Sequence, residues 1–131
     1  MIAIDTNVIV RVVTADDPEQ LEVAKALLSD ERLWLCKTVL LETEWVLRFS
    51  YELSRDVIRE AFRRLLGLEN LEMEDRSTVL VALGWYGEGM DFADALHLAS
   101  SRGTVRFATF DRSLARSASR LETNPPVDLL S

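Results

Sequence analysis

Residues 105–121 read VRFATFDRSLARSASRL, and the change of pattern inside that stretch decides the fold class. Residues 105–110 (VRFATF) form a short apolar run of strand length. Asp111 stands directly after it, and residues 111–121 read as a helix. The chain therefore holds a strand that delivers an acid into a helix. Working outward, residues 2–5 (IAID) are another short apolar run that stops at an acid, followed by NVIVRVVTADDP of helical or irregular character. Residues 32–36 (RLWLC) are a second strand, and residues 38–53 (TVLLETEWVLRFSYEL) a helix with Thr38 as its expected N-cap. Pro18, acceptable in a first helical turn, opens a helix over 18–31 with apolar Leu21, Ala24, Leu27 and Leu28. Ser54 and Gly67 bracket a helix over 54–68 whose apolar positions keep helical spacing. Residues 71–74 (LEME) read as a short strand, 75–89 and 91–103 as helices, and NPPVDLL closes the chain with no element assigned. Strands alternate with helices and the clearest strands are apolar on both faces. That pattern predicts an α/β sandwich, a parallel sheet covered by helices. In such sheets the ligand site lies off the carboxyl ends of the strands.

The totals narrow the classes. At 131 residues one domain is expected, with 48% hydrophobic residues and a real core. There is no run of 18 apolar residues, so no membrane span is expected. The N-terminal MIAIDTN reaches Asp5 before a signal-peptide apolar region could form, which predicts a cytoplasmic protein. Cys36 is the only cysteine; its flanks (LWLC) predict a packed thiol rather than a nucleophile. The net charge of −7 argues against non-specific nucleic-acid binding. Yet Lys25 and Lys37 are the only lysines, the other basic residues being Arg, which suits bidentate phosphate contacts, and an acidic total can hide a basic rim.

Four acids share one position in the βα pattern. Asp5 ends the first strand, Asp111 follows the FATF strand, Glu42 lies in the first turns of the helix after the second strand, and Asp94 lies near the start of a helix. Two plainer roles compete. Asp after a strand commonly caps the next helix, which is the favoured role for Asp91 and an even match for Asp111. Glu42 and Glu44 could line a solvated face, but two positions apart they point nearly opposite ways, and Arg48 at i+4 gives Glu44 an ordinary surface partner. Glu42 is then the acid without an explanation. If the four converge, at ~5 Å and an effective dielectric of ~20 each ionised pair repels by roughly 3 kcal/mol. The cluster must take up protons or a cation. An all-oxygen set suits Mg²⁺ or Mn²⁺ rather than zinc, and such a metal favours phosphodiester hydrolysis. His97, the only histidine, reads as a helix-edge residue with a hydrogen-bonded partner; Trp34, Trp45 and Trp85 could stack bases, yet two of them lie in apolar helical or strand patterns and read as core.

The stretches AIDTNVIVR, TVLLETEWVLR, DFADALHLA and ATFDRSLAR together resemble the PIN domain, and within it the VapC-type toxins of bacterial and archaeal toxin–antitoxin pairs. The resemblance covers essentially the whole chain; each motif alone is weak, the set of four is specific. It implies a three-layer α/β/α sandwich with a central parallel sheet, and a Mg²⁺- or Mn²⁺-dependent endoribonuclease. Asp5, Glu42, Asp94 and Asp111 then match the catalytic acids, with Asp5 and Asp94 as metal ligands. Thr6, Asn7 and Thr109 match polar residues that orient acids or water. Asp91 has no strict counterpart and reads as a cap or supporting acid. Arg11, Arg48, Arg112 and Arg116 lie beside the acidic motifs as candidates for a phosphate-binding rim. The resemblance further implies an RNA substrate, a VapB-type antitoxin that inserts a basic side chain among the acids, a homodimer, and contact with DNA only through the antitoxin. A binding module with little nuclease activity, similar to FitB-type proteins that act with a DNA-binding partner, is the alternative. A haloacid-dehalogenase-like phosphatase wants an acid where Asn7 stands, and both it and a receiver-like domain want a late Lys that this chain lacks.

Overall fold

The computed structural model describes all residues, 1–131. In chain order the elements are β1 (Ile2–Ala3), α1 (Thr6–Thr14), α2 (Pro18–Asp30), β2 (Leu33–Leu35), α3 (Lys37–Phe49), α4 (Arg55–Leu66), β3 (Leu71–Met73), α5 (Arg76–Gly87), α6 (Phe92–Ala99), β4 (Phe107–Thr109), α7 (Arg112–Leu121) and β5 (Val127–Leu129). Every strand pairing is parallel. This is the α/β class that the alternation predicted. The chain divides into two compact units, Met1–Arg76 and Ser77–Ser131.

The first unit is built on a three-stranded sheet in the order β1-β2-β3. Ile2 pairs with Leu33, and Leu33 with Leu71. Leu33 and Leu35 are fully buried, and so nearly are Leu71 and Met73, while Glu72 between them is exposed. The sheet thus buries alternate positions, and edge strand β1 is exposed; the expectation of strands apolar on both faces fails here. The stretch after Asp5 is a helix, α1. It ends at Ala15, which takes a left-handed conformation with φ 53° and returns its N–H to Arg11. Asp17 caps α2, and Pro18 occupies its first turn, where a missing N–H costs nothing. Asn70 closes the far end of α2, its amide donating to the carbonyls of Leu28 and Glu31, both at 2.6 Å. Ser54 caps α4 as expected, and Ile58, Phe62, Leu65 and Leu66 form its buried stripe.

Thr38 does not cap α3. The helix begins one residue earlier, with Cys36 at the cap position making no side-chain cap bond. The Glu74 carboxylate, arriving at the end of β3, accepts from the Lys37 N–H at 2.8 Å, and the Lys37 ammonium pairs with Asp75 at 3.1 Å. A carboxylate from a neighbouring strand end does what a local hydroxyl was expected to do. Cys36 is therefore half-buried, 3.4 Å from the Thr38 hydroxyl, not packed in a strand interior.

In the second unit α5 and α6 share a core of Val79, Ala82, Leu83, Tyr86, Phe92, Ala95 and Leu98. The Tyr86 and Phe92 rings meet edge to face, centroids 5.2 Å apart. β4 pairs with β5, Phe107 opposite Val127 and Thr109 opposite Leu129. The closing NPPVDLL, with two prolines and only three pairing residues, carries almost no periodic signal; the pairing partner, not the local pattern, makes it a strand. No helix of the chain is long and apolar enough to cross a membrane.

Candidate active site

In the first unit the site starts from the carboxyl edge of the sheet. β1 and β2 run parallel, so α1 and α3 leave from the same edge. Asp5 sits at the cap of α1, its Oδ1 accepting from the Thr6 N–H at 2.8 Å. The Thr6 hydroxyl, nearly buried, donates to Glu42 Oε1 across the two helix starts. Thr6 thus ties the Asp5 turn to Glu42, and both carboxylates stay open to solvent. Asn7 is exposed.

Glu42 and Glu44 differ in environment, as their spacing implies, but Glu44 lacks the surface setting expected of it. Glu44 is not a surface acid: it is 1% exposed. Arg48 escorts it inward with two hydrogen bonds, Nε to Oε2 at 2.8 Å and Nη2 to Oε1 at 3.3 Å. The same guanidinium lies 4.4 Å above the Phe49 ring. Arg48→Met should destabilise the fold by about 2 kcal/mol in urea titration. That is below the 3–5 kcal/mol typical of a wholly orphaned buried charge, because the Arg48 side chain is 36% exposed and water can partly replace it. Arg11 is also engaged, donating to Gln20 at 2.5 Å, to Tyr51 at 3.4 Å and to Asp16 at 3.5 Å. The Tyr51 and Thr14 hydroxyls hold the Asp16 carboxyl below the ordinary Asp value. Trp45, expected in the core, is 55% exposed and stacks at a tilt on the equally exposed Phe49, 5.0 Å between centroids.

In the second unit three acids meet electrostatically. Asp91 caps α6, its Oδ2 accepting from the Asp94 N–H at 3.1 Å. Asp111 caps α7, its Oδ1 accepting from the Leu114 N–H at 3.1 Å. Asp94 stands half-buried in the first turn of α6, where its carboxylate accepts no hydrogen bond. Burial pushes the Asp94 carboxyl up, and the charges of Asp91 and Asp111 push the same way; His97 pulls weakly back. His97 is exposed on the last turn of α6, and its ring makes no hydrogen bond, contrary to the partner expected for it. The Thr109 hydroxyl accepts from the Asp111 N–H at 3.0 Å and so fixes the turn that presents Asp111. Arg112 and Arg116 are exposed on α7 and form no ion pair.

The donors are all carboxylate and hydroxyl oxygens, the set that a hard divalent cation prefers. Their geometry is a different matter: nowhere do three or more acid, His or Cys side chains stand in an arrangement that could hold a metal ion. Asp5, Asp91 and Asp111 each turn an oxygen onto a helix N–H instead.

Against known families, the model of the PIN domain matches residues 2–119. The chain belongs to the PIN-domain family, whose members are in general nucleases that use divalent metal ions. The chain has no match among curated proteins or among solved structures.

Proposed function

We propose that this PIN-domain chain is a Mg²⁺- or Mn²⁺-dependent endoribonuclease of VapC type, with Asp5, Glu42, Asp94 and Asp111 carrying the chemistry. The observation that supports it best is Asp94: a half-buried carboxylate without a donor, beside two other acids, raised in pKa by all of these. Such a group gains most from a cation. A divalent ion, if bound there, would supply positive charge and Lewis acidity for phosphodiester hydrolysis. Of the two acids that the PIN resemblance assigns to the metal, Asp5 and Asp94, the second is the one that this chemistry draws on. Thr6 fixes the orientation of Glu42, which supports a role for that carboxylate in accepting or relaying a proton from attacking water. Asp111, fixed by its turn, adds negative charge next to Asp94. The toxin role brings with it a homodimer and a VapB-type antitoxin whose basic side chain relieves the same repulsion that the metal relieves.

A second reading, a binding module acting with a DNA-binding partner, draws on the caps. Asp5, Asp91 and Asp111 are already partly satisfied by helix N–H groups, and a partner's Arg could complete them without any metal. The two readings part in one assay. Labelled total RNA is incubated with the protein in Mg²⁺ or Mn²⁺, then in EDTA, beside Asp5→Asn. Asn is as good an N-cap as Asp, so the variant keeps α1 intact. Discrete metal-dependent fragments that vanish in Asp5→Asn are the expected result. Cleavage that survives the substitution, or none at high protein concentration, would leave the binding module as the better account.

A further inference from the structure

Phe110 is placed between two of the polar positions just described, yet 76% of it is exposed to solvent. Its backbone is held from both sides. Before it, the Thr109 carbonyl accepts from the Leu130 N–H at 2.7 Å, and β4 is paired with β5 through Thr109. After it, the Asp111 N–H is bonded to the Thr109 hydroxyl at 3.0 Å and Asp111 caps α7. A single exposed ring is ordinary in itself; what sets this one apart is that a fixed turn presents it between two site positions. The charges around it say what it would meet. The acidic excess of the chain lies in residues 1–76, which carry 16 acids and 10 bases, net −6; residues 77–131 carry 6 and 5, net −1. Of those five arginines, Arg102 bonds to Ala99 and Thr78, Arg106 pairs with Asp128, and Arg120 bonds to Glu88. The two left uncommitted are Arg112 and Arg116, the first two arginines beyond Phe110, and they lie one helical turn apart on α7.

We propose that Phe110 is a base-stacking platform for single-stranded RNA, with Arg112 and Arg116 holding the phosphates on either side of the stacked nucleotide. This rests on the ribonuclease reading above and names a residue that selects its substrate. An aromatic ring on a rigid turn loses little freedom on binding, stacks on any base, and stacks best on purines. The arginines are a matched pair for consecutive phosphates and are not drawn off by internal ion pairs.

The test is equilibrium binding of short fluorescein-labelled oligo(rA) and oligo(rU) to the full chain, measured by anisotropy in an Asp5→Asn background that does not cleave them. Phe110→Ala should weaken oligo(rA) binding between about fivefold and a hundredfold and weaken oligo(rU) less. Phe110→Tyr should restore most of it, and Phe110→Leu, apolar but without a ring, should not. Arg112→Ala and Arg116→Ala should weaken both oligomers alike and each lower the salt slope by about 0.7. Unchanged affinities in Phe110→Ala, with the parent protein binding RNA, would overturn the platform and leave the nuclease reading standing. A Phe110→Ala chain that binds RNA normally but sediments as a different oligomer would assign the ring to a protein contact and overturn it as well. No RNA binding by the parent protein would remove the ribonuclease reading and the platform together.

Discussion

Asp94→Asn is expected to make the protein more stable at neutral pH while reducing RNA cleavage at least about a hundredfold. The sign follows from linkage. Burial and the neighbouring Asp91 and Asp111 raise the Asp94 pKa above its ordinary 3.8, so the fold prefers the protonated acid. Asp94 therefore adds stability below pH 3.8, and that contribution is lost as pH rises through the raised value in the folded state. Asn keeps the shape and stays neutral at every pH. Thermal melts at pH 7 should show Asp94→Asn above the parent, and the gap should close as pH falls below 3.8. Added Mg²⁺ should raise the parent's Tm and raise the variant's less, since a cation binds the folded state through the charge that Asn lacks. A variant no more stable than the parent at pH 7 would mean that Asp94 is not strained, and the main support for the nuclease reading would go with it.

Phe92→Ala is expected to have the largest effect on stability. Phe92 is fully buried at the first position of α6, between the cap Asp91 and the acid Asp94, and its ring meets Tyr86 edge to face. Its truncation removes roughly 3–5 kcal/mol through lost burial and the cavity left behind. For a chain of this size that corresponds to a Tm lower by more than about 10 °C. The turn that carries Asp91 and Asp94 rests on this ring, so activity per folded molecule should fall too. Phe92→Leu, which refills most of the volume, should recover stability and activity in parallel; recovery of stability alone would separate the core from the site.

The sequence disclosed the fold wherever local chemistry was self-sufficient. Ser54, Pro18 and Gly67 act within their own helical turns, so the bounds of α2 and α4 were readable from the chain alone. What it hid depended on groups brought in from afar. Thr38 was expected to cap α3, but Glu74, thirty-seven residues from Lys37, took the position. β5 exists because β4 is there to pair with it. Glu44 was visible as the i+4 partner of Arg48, yet spacing says nothing about which side of the helix the pair occupies, and the pair is drawn inward. Trp45 looks like core by composition and is exposed. Of the acids proposed for the site, Asp5 and Asp111 follow strands and Asp94 lies in the first turn of a helix, positions that chain order alone discloses. That Asp5, Asp91 and Asp111 would all be engaged as caps was only half foreseen, since whether a carboxylate turns back onto its helix is decided by what else is near it.

The capping geometry at Asp5 and Asp111 has an evolutionary consequence. An Asp codon becomes an Asn codon by one transition at its first base, and Asn is accepted at a helix start as readily as Asp. Under the proposed function, one genetic step can therefore silence this chain while its product still folds, persists in the cell and occupies whatever the intact protein occupies. Inactive copies that arise this way would act as competitors of the active one rather than as debris for proteolysis.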